Sequence, residues 1–207
     1  ALVDLGYTVH RHAGIDRFET AVEIAKVAVD KVPSDTIILT NGVDFGELLA
    51  ANALAASKNY PVLLTNANAL PATVSSAIQD MEIKNVIVVG DEAAISDSIV
   101  GTLEEMEISV TRVSGENREL VALEVAKTFF PTANKAILAH GYDYPDGLVG
   151  GAFAADLNAP ILLVQTDAIH ADVLKYIQEN IQEVIVLGGP LAVSDNVLKA
   201  IQNVLKK

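Results

Sequence analysis

The chain has 207 residues, 51% of them hydrophobic, and a formal net charge of −13. That balance excludes general nucleic-acid binding, which needs a basic footprint, and no uninterrupted apolar run approaches the ~18–20 residues that cross a bilayer. There is no cysteine, so disulfides, thiolate metal sites and cysteine nucleophiles are excluded, and without tryptophan stacking platforms for sugars or bases are scarce.

The predicted elements alternate between strand and helix. Residues 7–12 read as a short strand whose His10 and His12 share an exposed face. Residues 16–30 have helical periodicity, with Phe18, Ala21, Val22, Ala25 and Val29 on one side and Asp16 placed to cap the start. Residues 36–40 form the continuous apolar run expected of a parallel strand buried on both faces. A helix at 46–58, a strand at 61–65, a helix at 71–81, a strand at 85–89 and a helix at 95–105 follow. The order then repeats, with strands at 109–113, 136–139, 161–165 and 183–187, and helices from Asn117 and at 146–157, 171–180 and 195–205. Such alternation predicts an α/β fold with parallel sheets, helices on both faces and right-handed crossovers.

The repetition extends to the residues themselves. Gly14-Ile15-Asp16-Arg17 recurs 101 positions later as Gly115-Glu116-Asn117-Arg118. Tyr60-Pro61-Val62-Leu63-Leu64 recurs 99 positions later as Ala159-Pro160-Ile161-Leu162-Leu163, and Val86-Ile87-Val88-Val89-Gly90 recurs 98 positions later as Val184-Ile185-Val186-Leu187-Gly188. The chain is therefore read as two tandem units, 1–107 and 108–207, with no Pro or Gly in the short connection between them. Residues 2–9 align with 103–110, so they complete the first unit or belong to a preceding one. This phase points to further copies of the unit, in cis or in trans, packed head to tail.

Three groups of residues are candidates for function. Arg17 and Arg118 stand in the first turn of a helix, where a positive charge opposes the macrodipole at a cost of ~0.3–1 kcal/mol. Two readings stay open: contact with a phosphate or carboxylate beside helix N–H donors, or a bridge to a neighbouring unit. Gly90, and Gly188 with Gly189, occupy strand-to-helix turns at the carboxyl edge, where open α/β sheets bind ligands; the alternative is a plain turn, with Ser96 and Ser194 as helix caps. Asp44, Glu47, Asp143 and Asp146, with His140, follow the second strand of each unit. They suit a hard cation, acid–base chemistry or simple helix capping. Thr65 and Thr166 are expected to bond locally. No nucleophile–base pair recurs in both units, and no cofactor motif is present. A hydrolase or isomerase using Asp143, Asp146 or His140 is the remote enzymatic alternative.

Gly14-Ile15-Asp16-Arg17-Phe18-Glu19-Thr20-Ala21 resembles the opening G-x-x-R-[YF]-x-T-A of the cell wall-binding repeat 2 family. Residues 186–194, Val-Leu-Gly-Gly-Pro-Leu-Ala-Val-Ser, resemble its carboxyl-edge signature, and residues 146–163 its middle motif. Module one differs in having Glu47 for Asp and Asp91 for the second Gly; module two has Leu120-Val121-Ala122 for Glu-Thr-Ala. The resemblance implies Rossmann- or Toprim-like three-layer modules that commonly come in threes and pack as a pseudo-trimer. It also implies a non-enzymatic role at the cell wall or cell surface, outside the cell, by non-covalent attachment to an anionic wall polysaccharide. Arg17, Arg118, Gly90, Gly188, Gly189 and Asp146 are the residues expected to meet that ligand, with no metal, cofactor, nucleic acid or membrane insertion. The other expectation is a self-assembling surface-layer or filament subunit.

Overall fold

The structure is a computed structural model in which residues 2–43, 46–142 and 145–205 are described. A 3-10 turn at Val3–Leu5 precedes the first repeat of elements: α1 (Arg17–Lys31), β1 (Thr36–Asn41), α2 (Gly46–Lys58), β2 (Val62–Thr65), α3 (Ala72–Asp80), β3 (Asn85–Val89) and α4 (Asp97–Glu105). The second consists of β4 (Ser109–Val113), α5 (Arg118–Phe129), β5 (Lys135–His140), α6 (Pro145–Asp156), β6 (Ile161–Val164), α7 (Ala171–Asn180), β7 (Glu183–Val186) and α8 (Asp195–Leu205). The described strands form two parallel sheets, ordered β2-β1-β3-β4 and β6-β5-β7. The expected fold class, two tandem three-layer α/β units, is the fold observed.

Alternation along the strands sorts the core into layers. In β1, Ile37 and Leu39 face α1, α3 and α4, packing with Val22, Ile78 and Leu103. Ile38, between them, faces the other way. There it joins Leu49 and Leu54 of α2, Val121 and Val125 of α5, and Ile137, Ile161 and Leu163 of the second sheet in one buried cluster. The far face of the second sheet closes on α7 and α8 through Leu138, Leu162, Val173, Ile177 and Ile201. The two units thus share a continuous central layer built from α2, α5 and α6. Glycine permits the closest approach in it: a Cβ on Gly151 of α6 would lie 2.2 Å from the Asn52 side-chain amide of α2. That amide donates to the carbonyl of Leu148 at 2.7 Å.

Two expectations are corrected. The segment 7–12 forms no strand and lies exposed. Its repeat counterpart, β4, is a strand, yet it completes the first sheet and not the second, in register from Asn85↔Ser109 to Val89↔Val113. The bonds Ser109 N–H to Lys84 C=O and Gly90 N–H to Val113 C=O, both 2.9 Å, close its ends. A strand exists only where a neighbouring edge accepts its N–H and C=O groups. Residues 109–113 find such an edge on β3, and the described chain offers residues 7–12 none.

Candidate functional site

Because the strands are parallel, all of them end at one edge of their sheet, and the candidate residues gather there. Gly-x-x-Arg is spaced by sterics. A Cβ on Gly14 would fall 2.1 Å from the Glu19 Cβ, and one on Gly115 would fall 2.7 Å from the Leu120 carbonyl carbon. Only glycine lets the chain fold so tightly onto the first helical turn. Asp16 and Asn117 then cap that turn, accepting from Glu19 N–H at 2.9 Å and Leu120 N–H at 3.0 Å. Each arginine reaches from the turn to the carboxyl edge. Arg17 Nη1 donates to the Gly42 carbonyl, and Arg118 Nη1 donates to that of Gly141 at 2.8 Å.

The two arginines differ in what lies over them. Arg17 is exposed, whereas Arg118 is half-buried. The Arg118 guanidinium sits over the Tyr142 ring, 4.4 Å from its centroid. It also packs on the start of α2 in the first unit, where a Cβ on Gly46 would lie 3.0 Å from Cζ. Arg118 therefore bridges the units. Arg17 stands at the equivalent place on a surface with no such neighbour among the described residues.

The turns after β3 and β7 lie beside the starts of α2 and α6. Gly90 and Gly188 have φ of +134° and +100°, a region that favours glycine. A Cβ on Gly90 would be 3.4 Å from Glu47 Cγ, and one on Gly188 would be 2.6 Å from Asp146 Oδ2. The fold thus brings Asp146 to Gly188 and Glu47 to Gly90, while Gly189 faces open space. Neither serine supplies the expected cap. Ser96 Oγ pairs with Ser98 Oγ at 2.8 Å, and Ser194 Oγ is buried with no hydrogen-bond partner among the described residues. Thr65 bonds locally, to the carbonyls of Asn66 and Ala69. Thr166 does not: its hydroxyl meets His140 Nε2 at 3.2 Å. Asp44 and Asp143 lie outside the described residues.

One functional candidate escaped the sequence reading. Glu119, the residue after Arg118, is 2% exposed. Its carboxylate accepts from the Tyr142 hydroxyl at 3.2 Å on both oxygens and from Gln165 Nε2 at 3.1 Å. Burial, then the Glu119 charge and hydrogen bond, push the Tyr142 phenol above its ordinary value, with Arg118 opposing. The repeat carried a signal for this residue, because its counterpart in the first unit is Phe18. A buried carboxylate in place of a partly buried aromatic ring requires partners. Among the described residues, no three His, Cys, Asp or Glu side chains come together as a metal site, and no helix is long and apolar enough to cross a membrane.

Comparison with known proteins follows this division into units. The family described as Cell wall binding domain 2 (CWB2) matches residues 11–100 and again 112–198. The chain is 31% identical over 191 residues to the N-acetylmuramoyl-L-alanine amidase LytC of Bacillus subtilis, covering 92% of this chain and 38% of the amidase. It is 32% identical over 197 residues to the amidase enhancer of the same organism, covering 95% of this chain and 26% of that protein. Two solved structures from Clostridium difficile share the fold. Cwp6 matches with a TM-score of 0.86 and 26% identity over 93% of this chain and 31% of its own. Cwp8 matches with a TM-score of 0.84 and 29% identity over 98% of this chain and 35% of its own. The chain thus spans well under half the length of these relatives.

Proposed function

The chain belongs to the cell wall binding domain 2 family, and from that premise we propose that it is a non-enzymatic anchor of a cell-surface protein, held outside the cell on an anionic wall polysaccharide. One observation carries this reading. The same two units recur, as a minor part of the length, in an amidase and in an amidase enhancer. A segment common to proteins of different activity fits a shared attachment function better than a shared reaction. Arg17 and Arg118 then supply cationic donors at helix starts, Gly90, Gly188 and Gly189 admit the polymer to the backbone, and Asp146 accepts from its hydroxyls. The net charge of −13 opposes an anionic ligand at long range. Screening within about 8 Å at physiological salt leaves the local arginines in control. Cosedimentation with purified walls, intact or stripped of their anionic polymer, tests the reading. Retention on intact walls alone is expected, and equal retention on both ends the polymer assignment.

A second reading, further copies of the unit as partners, is favoured by a different observation: residues that are buried between the units have exposed counterparts on the outside. Ile24 of α1 is 55% exposed where its counterpart Val125 of α5 is 1% exposed. Leu148, Val149 and Phe153 of α6 are exposed where Leu49, Ala50 and Leu54 of α2 are buried. Among the described residues, the edge of β7 has no further strand where β3 takes up β4. Arg112 of β4 also donates to the carbonyls of Gly90 and Asp91 and to Asp97 Oδ1. By the repeat, Arg11 of another copy would meet Gly188, Gly189 and Asp195, with its residues 8–12 lying along β7. Sedimentation velocity at rising concentration tests this. Growth in mass that Arg11→Glu abolishes supports the reading, and a strict monomer at high concentration, unchanged by divalent cations, counts against it.

A further inference from the structure

The second unit carries a polar pocket whose lining side chains differ from their counterparts in the first. His140, Tyr142, Gln165, Thr166 and Asp167 line a shallow recess of about 450 Å³ at the carboxyl edge of the second sheet, within the usual range for small-ligand sites. Its aromatic wall, Tyr142, is 50% exposed and yet held at both ends. Glu119 accepts its hydroxyl from below, and Arg118 lies on its ring face. The same Glu119 fixes the Gln165 amide, and His140 and Thr166 hold each other. The polar groups around the ring are therefore set in place before any ligand arrives, which lowers the entropy lost on binding.

The first unit is the internal control. The counterparts of Glu119, His140, Tyr142, Gln165 and Thr166 are Phe18, Asn41, Val43, Asn66 and Ala67. There the Phe18 ring packs against Gly42. Asn41 turns inward, donating to the Ala94 carbonyl and accepting from Val43 N–H, both at 2.7 Å. Among the described residues, no aromatic platform and no buried carboxylate occupies that place. Five positions differ together in a direction that builds a site, whereas a repeat kept only for packing has no use for a carboxylate buried behind a tyrosine.

We propose that this recess is a subsite for one neutral sugar ring of the wall polysaccharide, stacked on Tyr142 and bonded through its hydroxyls to Gln165, Thr166 and Asp167. The chemistry of the lining selects that class. It mixes amide donor, hydroxyl and carboxylate acceptor, as a polyhydroxylated ring requires. Beside the recess the Arg118 guanidinium is turned onto the ring face and the Gly141 carbonyl, and Asp167 at the rim repels phosphate and carboxylate. Tyrosine supplies a rigid amphipathic surface at low entropy cost. Glu119 is a positioning residue, too buried to touch the ligand. The proposal rests on the wall-polysaccharide reading above and adds which unit reads the sugar and how.

The test is nuclear magnetic resonance on the full chain titrated with glucose, galactose and N-acetylglucosamine at tens of millimolar. At least one sugar should receive saturation from the protein and shift the amides of residues 140–142 and 165–168, leaving residues 41–43 and 66–69 unmoved. Tyr142→Ala should weaken that binding at least tenfold, and Glu119→Gln should weaken it severalfold while the rest of the spectrum stays in place. Tyr142→Phe, which keeps the ring, should retain most of it. Absence of shifts at the recess with all three sugars, or an undiminished response in Tyr142→Ala, overturns the subsite. The outcome is separable from that of the anchoring reading. Retention of the chain on walls with no sugar response ends the subsite alone, and a sugar response without wall retention ends the anchoring reading alone.

Discussion

Leu54 of α2 and Phe153 of α6 occupy the same place in two copies of one unit, yet Leu54 is fully buried and Phe153 is 45% exposed. The difference lies in the company and not in the helix. α2 packs against both α6 and α5, whereas the side of α6 that carries Leu148, Val149 and Phe153 stays exposed among the described residues. The same asymmetry separates Val125 from Ile24, Arg118 from Arg17, and β4 from residues 7–12. A repeated sequence writes the same interface into every copy, and whether that interface is satisfied depends on a neighbour.

The largest expected effect tests this contrast directly. Leu54→Ala removes a fully buried side chain from the shared layer and should cost ~3 kcal/mol, a fall in Tm of roughly 6–12 °C for a chain this size. Phe153→Ala should change stability by no more than about 0.5–1 kcal/mol in the isolated chain. Thermal unfolding of both variants checks the pair, and a Phe153 variant as damaged as the Leu54 variant would mean the α6 face is already covered. Next comes Gly151→Val, whose added carbon meets the Asn52 amide. Overpacking of this kind costs ~1–3 kcal/mol, read as a lower urea midpoint.

A smaller contrast concerns the arginines. Arg17→Ala should cost up to ~1 kcal/mol, since the lost carbonyl bond of an exposed group is partly offset by relief of the helix dipole. Arg118→Ala should cost more, ~2 kcal/mol, because its contacts with Tyr142 and the start of α2 go as well. Equal midpoints for the two variants would remove the bridging role assigned to Arg118.

The smallest effect is a titration. Glu119→Gln should bring the Tyr142 phenol down toward its ordinary 10.0 but not all the way, because burial is the leading cause of the shift and remains. The sign for stability follows. The phenol is raised in the folded state, so its contribution is complete below about pH 10 and is lost as pH rises through the folded value. Tyrosinate absorbance followed against pH in wild type and Glu119→Gln measures the difference, and an unchanged titration would separate Glu119 from Tyr142.

Much of the fold was legible in the sequence because its signals are local. Runs such as Ile37-Ile38-Leu39 announce strands buried on both faces, and the helix over Gly46–Lys58 was bounded correctly by its own Ala- and Leu-rich pattern. What was not legible is relational. Residues 8–12 and 109–113 align in the repeat, and only the presence of β3 makes a strand of the second. The candidate site divides in the same way. The glycine turns and the Gly-x-x-Arg openings could be read from chain-local signals, whereas the meeting of Asp146 with Gly188 joins residues far apart in the chain and became visible only in the fold. Glu119 could be found only by comparing the copies, since a lone glutamate in a helix reads as surface. The serines at 96 and 194 look like caps by type, but their hydroxyls are engaged or enclosed elsewhere.

Attachment to an anionic polymer is tested most directly by titrating purified anionic wall polymer into the full chain at rising salt. Saturable binding that weakens steadily as salt screens the exposed Arg17 and the half-buried Arg118, and weakens further in Arg17→Ala, is the expected result. No heat or mobility change at low salt, where charge contacts are strongest, would contradict the account.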